Sequence, residues 1–181
     1  MIFKKFTLGK LETNCYIIAD EANNEAAIID APPNIKEVID YIKQKRLEVK
    51  YVLVTHHHYD HTYSLSALRK AFPNAEVTNR SVKIGEIDIK SISTPGHAID
   101  SVSFHIPKEL ALFSGDTLFK GTIGRTDQRD SDFEEERKSI REELYVLPPK
   151  TKVYPGHGED TTIEAEKAHN PDVLPHWVRE V

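Results

Sequence analysis

The sequence predicts an α/β domain whose helices lie outside packed sheets, and three observations support this fold class. Short apolar segments of strand length, bounded by Gly, Asn and Pro, recur through the 181 residues. Segments with helical periodicity are widely separated and are mixed with these strands. Hydrophobic residues make up 39% and charged residues 29%, as in ordinary globular domains. Because this length suits one core, we expect a single domain spanning residues 1–181.

Apolar runs in the first third of the chain predict three strands, a helix and a buried strand. The three strands are Ile2–Leu8, Cys15–Ala19 and Ala26–Ile29. Asn34 is the expected N-cap of the helix, and the apolar face of that helix holds Ile35, Val38, Ile39 and Ile42. The run Val49–Val54 predicts the buried strand, which leads directly into a histidine-rich segment.

The rest of the chain predicts three further helices and five further strands. A helix with Leu65, Leu68 and Phe72 on one face ends at Pro73. Ser131 and Glu134 form a capping-box signature for a helix running to about Tyr145, and Thr161 or Thr162 caps a closing helix through Ala168. The strands are predicted at Ala75–Thr78, Ile87–Ile92, Val102–His105, Leu110–Phe113 and Lys152–Tyr154.

Composition disfavours nucleic-acid and membrane partners. The formal charge is −5 and the basic residues are scattered, so the chain has no electrostatic footprint for phosphate backbones. No segment approaches the roughly 20 apolar residues that span a bilayer. Because Met1–Lys10 lacks the apolar segment of a secretion signal, we expect a cytoplasmic protein. The single Cys15 is predicted to be a small buried hydrophobe.

A dense group of metal-binding side chains follows the predicted strand Val49–Val54. His56, His58, Asp60 and His61 place four ligand-type residues within six positions. Neutral imidazole nitrogens and carboxylate oxygens bind zinc at similar lengths of about 2.0–2.2 Å. This density predicts a turn that aims ligands at more than one metal.

Three later segments each place one such side chain after a strand and a glycine. They end in His97, Asp116 and His157, and the preceding glycines permit sharp turns. Capping, packing and charge patterning do not explain the seven spacings together, which therefore indicate metal binding. The other histidines are interpreted differently: His57 as a non-ligand or an indirect donor, and His105, His169 and His176 as structural.

The order H-x-H-x-D-H, H, D, H in these glycine-flanked contexts resembles the metallo-β-lactamase-fold hydrolase superfamily. Within it, three motifs are similar to the glyoxalase II-like, or hydroxyacylglutathione hydrolase-like, branch. They are Leu11-Glu12-Thr13-Asn14-Cys15-Tyr16, Ser114-Gly115-Asp116-Thr117-Leu118-Phe119 and Gly121-Thr122-Ile123-Gly124-Arg125-Thr126-Asp127.

The resemblance implies a four-layer αββα sandwich and two divalent metal ions, most simply Zn²⁺, with iron or mixed zinc and iron as alternatives. One metal would be held by His56, His58 and His97, and the second by Asp60, His61 and His157. Asp116 would bridge the two metals.

The chemistry implied is hydrolysis of a small acyl thioester of the S-lactoylglutathione type by a hydroxide bridging the two metals. Asp60 would act as the catalytic residue that orients this nucleophile. Arg125 and Lys120 would bind substrate carboxylates, although a surface pair of Arg125 with Asp127 is an alternative. Aromatic residues beside the ligands, Tyr59 and Tyr63, either line the pocket or pack at a strand–helix junction.

Other functions remain open at this point. Glyoxalase II itself carries a C-terminal helical extension, which this chain lacks after His157, so another small thioester, ester or lactone is an alternative substrate. A mononuclear iron persulfide dioxygenase would use His56, His97 and Asp116 as a facial triad. A catalytically inert metal-binding module is disfavoured because all seven ligands are present. We expect no secretion signal, which disfavours β-lactam hydrolysis. We also expect no basic surface, which disfavours RNA processing.

Overall fold

A computed structural model describes residues 1–174, and the chain divides into two compact units, Met1–Ser91 and the residues from Ile92 onward. His176, interpreted as structural from sequence, lies outside the described residues. Among the described residues, no helix is long and apolar enough to cross a bilayer.

The first unit contains a five-stranded sheet in the order β1-β2-β3-β4-β5. The first three strands are antiparallel, and β3, β4 and β5 run parallel to one another. Their bounds are β1 Ile2–Leu8, β2 Thr13–Asp20, β3 Glu25–Ile29, β4 Glu48–Leu53 and β5 Glu76–Thr78. An antiparallel hairpin follows, formed by β6 (Val82–Ile84) and β7 (Ile87–Ser93). The parallel pairing of β3 with β4 brings the carboxyl ends of both strands to the same edge of the five-stranded sheet.

Three helices complete the first unit: α1 (Lys36–Lys45), the single turn α2 (Tyr59–Thr62) and α3 (Leu65–Ala71). The buried side chains of α1 are Val38 and Ile42, which share a core with apolar residues of β2, β3 and β4. Leu68 of α3 is part of the same core. Cys15 is fully buried in β2, so its predicted role as a small buried hydrophobe is confirmed.

The second unit contains the strand order β8-β9-β12-β13. The pairs β8–β9 and β12–β13 are antiparallel, whereas β9 and β12 are parallel. These strands are β8 Val102–Ile106, β9 Ala111–Gly115, β12 Lys152–Pro155 and β13 Thr161–Thr162. Along the chain, a separate two-stranded ribbon of β10 Leu118–Phe119 and β11 Thr122–Ile123 lies between β9 and β12. The helices are α4 Phe133–Ser139, which continues as a π-helical turn over Ile140–Leu144, and α5 Ile163–His169. Ile140 and Leu144 pack in one core with Leu112 and Val153.

Two predicted helix starts are wrong by one residue. Asn34 adopts a left-handed conformation with φ 66° and precedes the cap of α1, which is Ile35. The cap of α4 is Asp132 and not Ser131, because a side-chain oxygen of Asp132 accepts a hydrogen bond from the Glu135 amide at 2.9 Å. Thr162 caps α5 as predicted, and its hydroxyl accepts from the Ala165 amide. The single-turn helix α2 and the short strands β6, β10, β11 and β13 were not predicted.

Candidate metal centre

The histidine-rich segment begins at the edge of the sheet where β3 and β4 both end. The amide of Asp30 donates to the carbonyl of Leu53 at 2.8 Å, so the last residues of the two strands stay side by side. The segment that follows β4 and contains His56 therefore starts beside Asp30, the residue that follows β3. The short helix α2 then turns the chain, and the carbonyl of His61 accepts from the amide of Ala31 at 2.8 Å.

Asp30 organises this turn, although it belongs to none of the motifs found in the sequence. One of its carboxylate oxygens accepts from the amide of Thr55 at 2.8 Å. The other accepts from the Thr55 hydroxyl at 2.9 Å and from Nδ1 of His61 at 2.7 Å. Because the Thr55 hydroxyl donates to Asp30, its lone pair receives a hydrogen from His56 Nδ1 at 3.0 Å. This network assigns the Nδ1-H tautomer to both histidines, and Nε2 is then the atom available to a metal.

The four ligand-type side chains of this segment lie close together. The ring of His56 has its centroid 4.6 Å from that of His58 and 4.2 Å from that of His61. Nε2 of His61 is 3.4 Å from Oδ2 of Asp60. The same Asp60 oxygen accepts from the hydroxyl of Thr13, which lies in β2, at 2.8 Å. A second strand thus fixes the orientation of the Asp60 carboxylate.

A second group of ligand-type residues forms in the other unit, again where two parallel strands end side by side. Strands β9 and β12 are parallel, and the amide of Gly156 donates to the carbonyl of Gly115 at 2.7 Å. The residues that follow, Asp116 and His157, therefore meet: His157 Nε2 is 3.4 Å from Asp116 Oδ2. His97 precedes the antiparallel neighbour β8, and its Nε2 is 3.7 Å from the same oxygen.

Glycine allows His97 and Asp116 to sit in crowded loops. Gly96 has φ 144°, and a Cβ there would collide with the backbone of Glu136. A Cβ at Gly124 would collide with the carbonyl of Asp116. Because the backbone of Gly124 packs this closely against Asp116, the carbonyl of the next residue, Arg125, lies where it accepts a hydrogen bond from Nδ1 of His97 at 2.9 Å. His97 thus also carries its hydrogen on Nδ1 and offers Nε2.

Both groups fit a divalent metal of the zinc or iron type. Three of the histidines hold Nδ1 in hydrogen bonds to oxygen acceptors, which is the usual arrangement for metal-ligating imidazoles. Two ligand atoms on one tetrahedral ion, each about 2.1 Å from it, lie about 3.4 Å apart. The histidine-to-carboxylate separations of 3.4 Å for His61 with Asp60 and for His157 with Asp116 match that spacing. A nitrogen-rich donor set of this kind suits zinc and iron better than calcium or magnesium.

Glu136 is a further buried group that the sequence did not indicate. It lies in the first turn of α4, and both carboxyl oxygens are inaccessible to solvent. Burial raises the pKa of Glu136 to about 9, and the negative charge of Asp116 raises it too, while the nearby Gly124 amide partly opposes the shift. In the metal-free protein this carboxyl is therefore protonated at neutral pH.

The pKa of Glu136 predicts a pH-dependent loss of stability. Between the ordinary value of 4.5 and about 9, the unfolded chain has released a proton that the folded chain retains, so the free energy of unfolding falls as pH rises. We expect Glu136→Gln to remove this decline and to stabilise the metal-free protein by about 2–4 kcal/mol at pH 8. Urea unfolding of chelator-treated protein from pH 5 to 9 measures it. Glu135→Gln, at an exposed neighbour, is the matched control, and parallel curves for wild type and Glu136→Gln would contradict the expectation.

The two cations predicted to bind substrate already have partners. Arg125 forms a bidentate pair with Asp127, with distances of 2.7 and 3.1 Å, so the surface pair considered above is present. Lys120 forms an ion pair with Glu159. Hydrogen bonds and charge from these partners raise the pKa of both cations, which keeps them protonated. Their role in substrate binding stays a prediction.

Comparisons with known proteins agree with this chemistry. The family model described as "Metallo-beta-lactamase superfamily" matches residues 8–84 and 80–157. A probable metallo-hydrolase of Streptococcus pyogenes is 32% identical over 199 residues, covering 88% of this chain and 84% of that protein. A hydroxyacylglutathione hydrolase of Pelagibacter ubique is 33% identical over 159 residues, covering 78% of this chain and 65% of that protein.

Solved structures are similar over nearly the whole chain. The BLEG-1 B3 metallo-β-lactamase has a TM-score of 0.89 and 32% identity, covering 96% of this chain and all of the other. ETHE1 from Myxococcus xanthus has a TM-score of 0.87 and 30% identity, covering 94% and 84%. TTHA1623, solved in a di-iron-bound form, has a TM-score of 0.80 and 25% identity, covering 93% and 98%. The predicted fold is confirmed, and the chain belongs to the metallo-β-lactamase superfamily.

Proposed function

We propose that this chain hydrolyses a small acyl thioester of the S-lactoylglutathione type with the help of two divalent metal ions. One observation carries the proposal: His56, His61 and His97 each hold Nδ1 in a hydrogen bond to an oxygen acceptor, so that Nε2 is directed to a metal. The similarity to a hydroxyacylglutathione hydrolase supports the choice of thioester.

Seven side chains would hold the two metals, assigned as the family resemblance implies. His56, His58 and His97 would hold one metal, Asp60, His61 and His157 would hold the other, and Asp116 would be a ligand shared by both. Divalent ions in such a site lower the pKa of water and polarise carbonyl oxygens, which is the chemistry that hydrolysis of a thioester at neutral pH needs.

The residues of the chain supply orientation. Asp60 is held by the Thr13 hydroxyl at 2.8 Å, and in the proposed reaction its oriented carboxylate would accept a hydrogen bond from the attacking water and orient it. Asp30 keeps the imidazole of His61 in one tautomer through the 2.7 Å bond to Nδ1. These groups are in place before substrate arrives, which limits the reorganisation that the reaction requires.

Elemental analysis beside thioester hydrolysis tests the proposal. Protein purified without added metal or chelator is expected to hold about two equivalents of zinc, iron or both. It is expected to cleave S-lactoylglutathione, to lose this activity on treatment with a chelator and to regain it with Zn²⁺.

Two other outcomes would overturn the proposal in different ways. One equivalent of iron, no thioester cleavage and oxygen uptake with a persulfide would identify a facial-triad dioxygenase with His56, His97 and Asp116 as ligands. Cleavage of a chromogenic β-lactam without cleavage of any thioester would identify a β-lactamase.

Removing the Arg125 guanidinium is expected to weaken substrate binding. Its pair with Asp127 is exposed, with 65% and 71% of the two side chains accessible, so a substrate carboxylate can replace Asp127 at little cost. We propose that Arg125→Met and Lys120→Met each raise the KM for S-lactoylglutathione by about tenfold with little change in kcat. Steady-state kinetics measure the effect. Arg69→Met, an exposed arginine on α3, is the control, and an unchanged KM in both variants would remove these residues from the substrate site.

A further inference from the structure

A cavity of about 290 Å³ opens beside Asp60 within the first unit. Its polar lining residues are Lys10, Thr13, Asn34 and Asp60. Leu11, Pro33, Tyr59 and Tyr63 supply the apolar and aromatic lining. The carboxylate that we propose as orienting group therefore lines this cavity. At roughly 30 Å³ per water-sized group, the cavity has room for about ten such groups.

Three of the apolar and aromatic residues that line the cavity are exposed. Leu11 has 64% of its surface accessible, Tyr59 68% and Tyr63 52%. The two tyrosine rings lie one turn apart, with centroids separated by 4.9 Å at 67°, and so form one edge-to-face wall. Large apolar side chains that are exposed together around a concavity are typical of a ligand site, because a ligand that covers them removes apolar surface from water.

The β1–β2 turn supports Leu11 at this place. Gly9 has φ 72° and Glu12 has φ 54°, so the turn is tight. At Gly9 a Cβ would lie 3.4 Å from the ring of Pro33, which shows that the turn rests against this proline. Leu11 is thus held over the cavity by the backbone.

The charges at the cavity favour the acyl group of the proposed substrate over its thiol part. Asp60 is the acidic residue in the lining, and Lys10, which also lines the cavity, forms no ion pair among residues 1–174. A peptide-like thiol such as glutathione carries several charges, and it suits Arg125 and Lys120 better than walls of Leu, Pro and Tyr. An acyl group is the apolar part of a thioester.

The geometry points to this cavity as the acyl subsite of the enzyme, shaped for an apolar acyl group of about four to eight carbons, with Leu11 and Tyr63 as specificity-determining residues. This inference rests on the proposed function. It departs from the small hydroxyacyl group of S-lactoylglutathione, since a lactoyl group would leave most of the cavity filled with water.

A series of S-acyl N-acetylcysteamine thioesters tests the inference with the metal-loaded enzyme. From acetyl to hexanoyl, kcat/KM is expected to rise by up to about fourfold per methylene, mainly through KM. Leu11→Ser and Tyr63→Ser are expected to bring the hexanoyl-to-acetyl ratio close to one. Val146→Ser, which removes an equally exposed apolar side chain in the second unit, is the matched control and should keep the wild-type ratio.

Direct binding provides a readout independent of turnover. Saturation-transfer NMR with hexanamide, a neutral compound that the enzyme does not consume, is expected to show contact in wild type and in Val146→Ser but not in Leu11→Ser. Thioester cleavage with no dependence on chain length, and no hexanamide contact, would overturn the acyl subsite and leave the hydrolase intact. Hexanamide contact that Leu11→Ser abolishes, with no cleavage of any thioester, would support the apolar acyl site and overturn the thioesterase proposal instead.

Discussion

Asp116→Asn is expected to lower thioester turnover by more than about 100-fold and to reduce the bound metal from two equivalents towards one or fewer. Asparagine keeps the shape of the side chain but removes the negative charge that lies 3.4 Å from His157 Nε2 and 3.7 Å from His97 Nε2. Replacing a residue that only orients a ligand costs about 10–100-fold in affinity or activity, so loss of the proposed bridging ligand should cost more. Elemental analysis and initial rates measure the two effects.

Asp88→Asn is the matched control for Asp116→Asn, because Asp88 is exposed on β7. Both variants should unfold at the same temperature as wild type after chelator treatment, which separates metal loss from misfolding. Two equivalents of metal and turnover within threefold of wild type in Asp116→Asn would contradict the assignment of Asp116 as a ligand.

Asp30→Asn is expected to weaken metal binding by about 10–100-fold and to destabilise the metal-free protein by about 1–3 kcal/mol. Both Asp30 oxygens accept hydrogens, from Thr55 and from His61. An asparagine has one acceptor oxygen, so its amide group would face a donor in a buried place. Asp30 has φ 63°, which asparagine tolerates, so the substitution tests the carboxylate without straining the backbone.

Competition with a chromogenic chelator and urea unfolding measure the consequences of Asp30→Asn. Asp40→Asn, on the exposed face of α1, is the matched control. Unchanged metal affinity in Asp30→Asn would show that His61 holds its orientation without the carboxylate, and Thr55→Val would then identify whether the hydroxyl network suffices.

The sequence predicted the place of the histidine-rich segment because the signal for it is local. The apolar run Val49–Val54 has strand length and stops at polar residues, so a strand that ends just before His56 follows from the pattern alone; β4 ends at Leu53. Glycine before His97 and Asp116 likewise predicted tight loops, and both Gly96 and Gly115 have positive φ. Membership of the superfamily followed from the same motifs.

Residues that act through tertiary contacts could not be predicted in this way. Asp30 and His61 are 31 positions apart, and only the parallel pairing of β3 with β4 brings them together. The sequence gives one weak signal for Asp30, a lone acid after an apolar strand. Glu136 sits in a helix among exposed acidic neighbours, and its burial depends on a loop that approaches from Gly124. The predicted cap of α4 was wrong by one residue because two adjacent polar residues, Ser131 and Asp132, could each have served.

The acceptor that orients His97 is a main-chain carbonyl, that of Arg125, and this has a consequence for the evolvability of the enzyme. A substitution at position 125 replaces the guanidinium but leaves the carbonyl in place, so the side chain can be exchanged for another substrate without releasing the histidine. Under the role in substrate binding proposed for Arg125, the same peptide unit would separate substrate choice from metal retention. A saturation library at position 125 should yield variants with altered substrate range and undiminished metal content.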